Sequence, residues 1–370
     1  MCTTDYAQLH LDVAFGRSNG KIIWQPRISA WVKDRLFMGG LPAPYTGMDF
    51  PDIHRHLNCS ARIYDYNSCY KRIESPDVKV ITKQINESDT ETEFITPVGK
   101  QTAISRKTPN SRAIIHVKRE ISSEEEMKVA IWRVENTTWE WDGVAYETLL
   151  KKWGNIGAPT MYMPRINIQD LYINTMGTQQ AIYAVYDWPD TVEAYFDALD
   201  RCHERLIEII NASPIQIINF GDNLHCGTLP PQLFKKYVLP SYRRRCDLLH
   251  KAGKFVHSHW DGDTKMLLPF AKETGLDGIE AITPVPQGDV TLDEIKDALG
   301  DEMFLIDGIP AILFDELYDV AMLKQYTHRI IELFAPKLIL GISDEISSTG
   351  DIERLRVVNE IVADYNNSCT

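Results

Sequence analysis

The strongest constraint on this chain is a pattern that repeats from about Ala145 onward: a short apolar run, a polar or glycine-bearing tip, then a stretch with helical spacing. The runs are APTMYM, IQIINFGDN, KFVHSHW, LDGIEAI, MFLIDGIP and KLILGISDE, and the stretches between them include VTLDEIKDALG. Short apolar runs alternating with helical periods imply parallel strands joined by helical crossovers. Six such units in one chain favour a closed (β/α)8 barrel of the TIM type over an open doubly wound sheet, with functional groups at the strand C-termini. No GxGxxG or P-loop stands at a strand-to-helix turn, so nucleotide binding has no support.

The barrel core is placed at residues 145–370. Residues 76–144 read as an inserted antiparallel β meander and helix. VKVITKQINE, ETEFITPVGKQTAISRKT and AIIHVKREI alternate apolar and polar residues around turns at Pro97-Val98-Gly99 and Pro109-Asn110-Ser111, and Ser122-Ser123 then caps a helix with an acidic first turn. Residues 1–75, with helical stretches Tyr6 to Phe15 and Arg27 to Arg35, read as a segment wrapping over the barrel. The three together are expected to form one integrated domain.

The net charge of −13 argues against nucleic acid as a partner. No run approaches the roughly 20 apolar residues of a membrane span, and the N-terminus has no basic-then-apolar signal, so a cytoplasmic location is expected. Seven cysteines without a CxxC pair (Cys2, Cys59, Cys69, Cys202, Cys226, Cys246, Cys369) read as reduced thiols.

Gly253 to Asp263, GKFVHSHWDGD, reads as a strand that ends at a site. Residues two apart on a strand share a side, so His257 and His259 can face one cavity. The other tips bring Asn219, Gly221 and Asp222, then Glu280, Asp307, Ser343, Asp344 and Glu345. A barrel gathers such tips at one mouth, where histidines and carboxylates from separate strands could hold a divalent metal; nitrogen and oxygen ligands favour zinc or a harder cation. Each tip also has an ordinary role open to it: Asp222 as a turn cap, Glu280 in an ion pair, Asp307 before Gly308 in a turn, Asp344 holding a loop.

Phe220-Gly221-Asp222, Leu229-Pro230-Pro231-Gln232-Leu233-Phe234, Leu239-Pro240-Ser241-Tyr242 and the strand ending at His257 resemble the uroporphyrinogen decarboxylase superfamily. The likeness continues through Thr274 to Glu280 and Gly341 to Arg354, covering about the last 160 residues, and is loose before that. It implies a (β/α)8 barrel. The decarboxylases carry a Met-Arg-Gln-Ala-Gly-Arg type of segment that grips porphyrin carboxylates; here Trp24-Gln25-Pro26-Arg27-Ile28-Ser29-Ala30-Trp31 has one arginine. The other branch comprises zinc methyltransferases working with a corrinoid protein. Its thiol-acting members have a His-x-Cys pair and a later cysteine, where this chain has His257-Ser258-His259 and Ser343-Asp344.

The resemblance therefore implies a cobalamin-linked methyltransferase of the O-demethylating kind, moving a methyl group from a methoxylated aromatic or similar O-methyl compound to a separate corrinoid protein. Zinc would be held by some subset of His257, His259, Glu280 and Asp344. Asp222 would be the acid that helps the leaving group depart. Trp24, Arg27, Tyr45, Asn219, His225, Trp260 and Asp307 would contact substrate, and a homodimer is the expected assembly if there is one. The alternatives are a decarboxylase-like lyase and a non-catalytic barrel that binds a small molecule.

Overall fold

The computed structural model describes residues 4–109 and 111–369, so Cys2 and Asn110 lie outside the described residues. The chain forms two units, one made of Met1–Cys69, Gly143–Met163 and Pro214–Thr370, the other of Tyr70–Asp142 and Pro164–Ser213.

In the first unit seven parallel strands run side by side in the order Ile23–Trp24, Leu338–Ser343, Phe304–Pro310, Gly278–Glu280, Phe255–Trp260, Ile217–Leu224, Thr160–Met163. The strands Phe255–Trp260, Phe304–Pro310 and Leu338–Ser343 are buried at every residue, as parallel strands covered on both faces must be. The eighth stave is the short segment 60–63. Ser60 N–H donates to the Trp24 carbonyl (3.1 Å), and Ile63 bridges Pro159 in parallel. The barrel expected from the repeat is present, and its eight staves follow one another in chain order.

One end of the barrel is plugged by the helix Tyr6–Ala14, whose N-cap Asp5 accepts a hydrogen bond from Gln8 N–H. Val13 and Ala14 pack with Ile23, Ile217, Phe255, Phe304 and Ile339, which lie at or near the starts of their strands. Phe255 and Phe304 meet edge to face at 5.2 Å. This apolar floor leaves the opposite end, where the strands finish, for polar groups.

The second unit holds the expected meander: Lys79–Gln84, Asp89–Thr96, Gly99–Lys107 and Ile114–Lys118 pair antiparallel in that order. Thr96 pairs with Gly99 across Pro97-Val98, and Ser123 caps the helix Glu124–Glu135. That helix packs on the 24-residue helix Pro189–Ala212. Two sequence boundaries are corrected here. The barrel takes two staves from before residue 75, the stretch assigned to a wrapping segment, because strands of two to four residues leave no periodicity to read. Residues 164–213, assigned to the barrel, belong to the second unit. The apolar face of a long amphipathic helix does not say which core it joins.

The six described cysteines form no disulfide. Among the described residues no helix is long and apolar enough to cross a membrane.

Truncating a ring in the barrel floor removes its burial and leaves a cavity. Phe304→Ala is expected to cost about 3–5 kcal/mol in urea unfolding; a loss under about 1 kcal/mol would mean that the floor is not a packed core.

Candidate functional site

The polar mouth is built around Glu280, whose side chain is wholly buried. Strand register supplies its neighbours: His259 stands opposite Glu280 on one side, and His257 opposite Asn219 on the other. His259 Nδ1 lies 3.1 Å from Glu280 Oε1, and Asn219 Nδ2 donates to Oε2. His257 Nδ1 is 3.1 Å from Oε2 but off the hydrogen-bonding direction, so this buried nitrogen has no aligned partner among the described residues. Arg62 reaches Oε1 at 3.1 Å and Arg27 at 3.4 Å. Tyr64 and Tyr162, stacked with ring centres 4.0 Å apart, turn their hydroxyls toward the same oxygen at 3.4 and 3.5 Å.

Arg62 forks onto Asp307 with bonds of 2.7 and 3.1 Å, and its Nε donates to Gln25 Oε1. Asp307 enters the interior although its neighbour Ile306 also packs there. Strict alternation would send it outward, but a φ of +79° turns the carboxylate back in. Gly341 makes the room: a Cβ there would lie 2.1 Å from Asp307 Oδ1. At the rim Arg27 is shared among Glu280, Asp344 and Glu345, each at 3.4 Å.

The electrostatics follow from burial and pairing. Burial alone would raise the Glu280 pKa, but Arg62 and the two histidines hold it well below the usual carboxylate range. Burial raises Asp307 to about 6 against the pull of Arg62. Burial lowers His257, and lowers His10, which lies beneath the cluster against Gln25, to about 3. Both rings are neutral at physiological pH.

Of the residues anticipated from sequence, Arg27, Asn219, His257, His259, Glu280, Asp307 and Asp344 come together at this mouth. Five others are corrected. Asp222 is not in the site: Asn219 and Gly221 face inward, so Phe220 and Asp222 face the surrounding helices, where Asp222 accepts from Tyr242 (2.6 Å) and Phe220 packs on the same ring. Trp260 is out of phase with His257 and His259 in the same way and packs edge to face on Phe234. Trp24 stacks on Phe314, and Tyr45 is buried against Trp31 with its hydroxyl on Glu353, so neither walls a substrate. His225 sits in the loop after its strand with Nε2 3.2 Å from Thr228. Sequence reasoning missed Arg62, Tyr64 and Tyr162. The signal for Tyr162 was present, since it is the penultimate residue of the run APTMYM.

The four residues expected to hold zinc do not fit that role as arranged. A dication on Glu280 would sit beside two guanidinium groups within 3.4 Å of the same oxygen, and Asp344 is turned to Arg27 with its side chain half exposed. Among the described residues no group of three or more His, Cys, Asp or Glu side chains is placed to hold a metal ion. The ordinary alternative for Glu280, an ion pair, is the arrangement present.

Two measurements test these assignments. Tyr242→Phe removes the donor to buried Asp222 and is expected to cost about 1–3 kcal/mol of stability while leaving turnover within a few-fold; lost turnover in a folded variant would return Asp222 to the site. His10 stays neutral when folded but takes a proton when unfolded, so its contribution is lost as pH falls from about 6.5 toward about 3. Relative to His10→Gln, the wild type is expected to lose about 1.4 kcal/mol per pH unit across that window. Parallel stability curves would show that His10 is not held neutral.

Comparison with known proteins places these features. Among solved structures, a methyltransferase from Methanosarcina mazei aligns with a TM-score of 0.52 at 10% identity, over 70% of this chain and 75% of that one. The GH18 chitinase ChiB from the chitin utilization locus of Flavobacterium johnsoniae aligns more loosely, with a TM-score of 0.36 at 10% identity over 61% and 82%. No curated protein sequence matches. The family model for uroporphyrinogen decarboxylase (URO-D) matches residues 170–365, more than half of the chain. With that match and the barrel it describes, this chain belongs to the uroporphyrinogen decarboxylase family.

Proposed function

We propose that the chain is a methyltransferase of this superfamily, taking a methyl group from a small O-methyl donor, such as a methoxylated aromatic, and passing it to a corrinoid carried by a separate protein. The observation that carries the reading is the pair of strand-end histidines set against buried Glu280, beside a cavity of about 280 Å³. Ligand pockets run roughly 300–1,000 Å³, so this one suits a single ring better than four linked rings. The two arginines here are committed to Glu280 and Asp307, which leaves a porphyrin's many carboxylates poorly matched. The fold likeness to the Methanosarcina mazei methyltransferase supports the same direction.

Cleaving a methyl–oxygen bond sends the methyl carbon to the acceptor's electron pair and leaves the bonding pair on oxygen, which needs a proton to depart. The partner's corrinoid supplies that acceptor. His259, with a proton on each ring nitrogen, is the group to deliver it: Glu280 accepts from Nδ1–H and fixes the ring, and Nε2–H gives its proton to the donor oxygen. Tyr64 and Tyr162 give a flat stacked wall beside it.

Protein, cob(I)alamin and a methoxyaromatic are expected to yield the methylcobalamin spectrum. His259→Gln should slow the transfer by about 10²–10⁴ with the fold intact. No signal across a donor panel would defeat the proposal, and release of carbon dioxide from uroporphyrinogen would replace it with the family's lyase chemistry.

A further inference from the structure

The cavity of about 280 Å³ shares Arg27, Arg62 and Tyr64 with the Glu280 cluster and extends away from it toward the helices Ser29–Phe37, Phe50–Leu57 and Gly143–Trp153. Its lining has two chemical halves. One is aromatic: Phe50 and Trp153 meet edge to face at 5.8 Å, and His54 packs against both rings. Burial lowers the His54 pKa to about 4, so it adds an uncharged ring. The other half is cationic, with Lys33 and Lys152 beside the two arginines.

Against those four cations the lining holds one carboxylate, Asp65, and it is already taken by Lys152 (2.6 Å) and Trp153 Nε1 (3.1 Å). The carboxylates that balance the arginines belong to the Glu280 cluster and do not line this cavity. Lys33, exposed on its helix, has no ion-pair partner among the described residues. A ligand complementary to this lining therefore has one flat apolar face and one negative end. An amino acid's ammonium group would meet like charge, and an inorganic anion would leave the rings unused.

We infer that this cavity binds a single-ring aromatic carboxylate, with the ring against Trp153 and Phe50 and the carboxylate at Lys33. The inference rests on the methyltransferase reading and names its donor class, an anionic methoxybenzoate over a neutral methoxyarene.

Binding without turnover separates the two claims. In calorimetry, 3-methoxybenzoate is expected to bind at least about tenfold more tightly than its neutral isostere 3-methoxybenzamide. Lys33→Glu should weaken the benzoate by about tenfold or more and change the amide by less than about twofold, and Trp153→Leu should weaken both. Equal affinity for the two probes, or a benzoate affinity unmoved by Lys33→Glu, would overturn the inference. Methyl transfer from neutral methoxyarenes with no benzoate preference would overturn it while leaving the proposed function standing. The expected binding pattern without methyl transfer would support this site while the proposed function falls.

Discussion

A buried carboxylate without compensation would not stay ionised, and the barrel mouth is organised to keep Glu280 charged. Two guanidinium groups, two imidazoles, an amide and two phenols come from separate stretches of chain to two oxygen atoms. Breaking a buried ion pair typically costs about 3–5 kcal/mol, and Arg62 is the guanidinium that pairs with both Glu280 and Asp307. The cluster therefore joins staves at their ends, as the apolar floor joins them at their starts. It also fixes which nitrogen of His259 is left for chemistry.

The mouth concentrates unusual backbone as well. Ala281, Asp307 and Asp344 all have positive φ, each at or beside a polar tip. Left-handed conformations in such residues cost of order 1–3 kcal/mol and persist where their surroundings hold them. At Asp307 the reason is visible, because the turn of the backbone delivers the carboxylate to Arg62.

The repeat of apolar runs made the barrel legible, and the tips of those runs made most of the polar mouth legible. What failed did so for geometric reasons. Asp222 and Trp260 lie on the right strands but on the wrong side of the pleat, and counting by twos from Asn219 and from His257 separates them from the site. Arg62 stood in, and Tyr64 just after, a stave too short to have a period, so nothing in composition set them apart from loop residues. The role of Glu280 was legible as a choice between ligand and ion pair. The guanidinium groups that make the ion pair are brought to it only by the fold.

Gly341 shows how tightly two distant positions are joined. The space its missing side chain leaves is where the Asp307 carboxylate stands, and the carbonyl of Gln25 closes the other side at 3.1 Å. Residues 307 and 341 therefore carry one decision between them. A barrel of this kind that accepts any side chain at 341 gives up the acid at 307, and with it the fork that holds Arg62. The chemistry of this mouth is thus bounded by an absence of atoms as much as by the groups present.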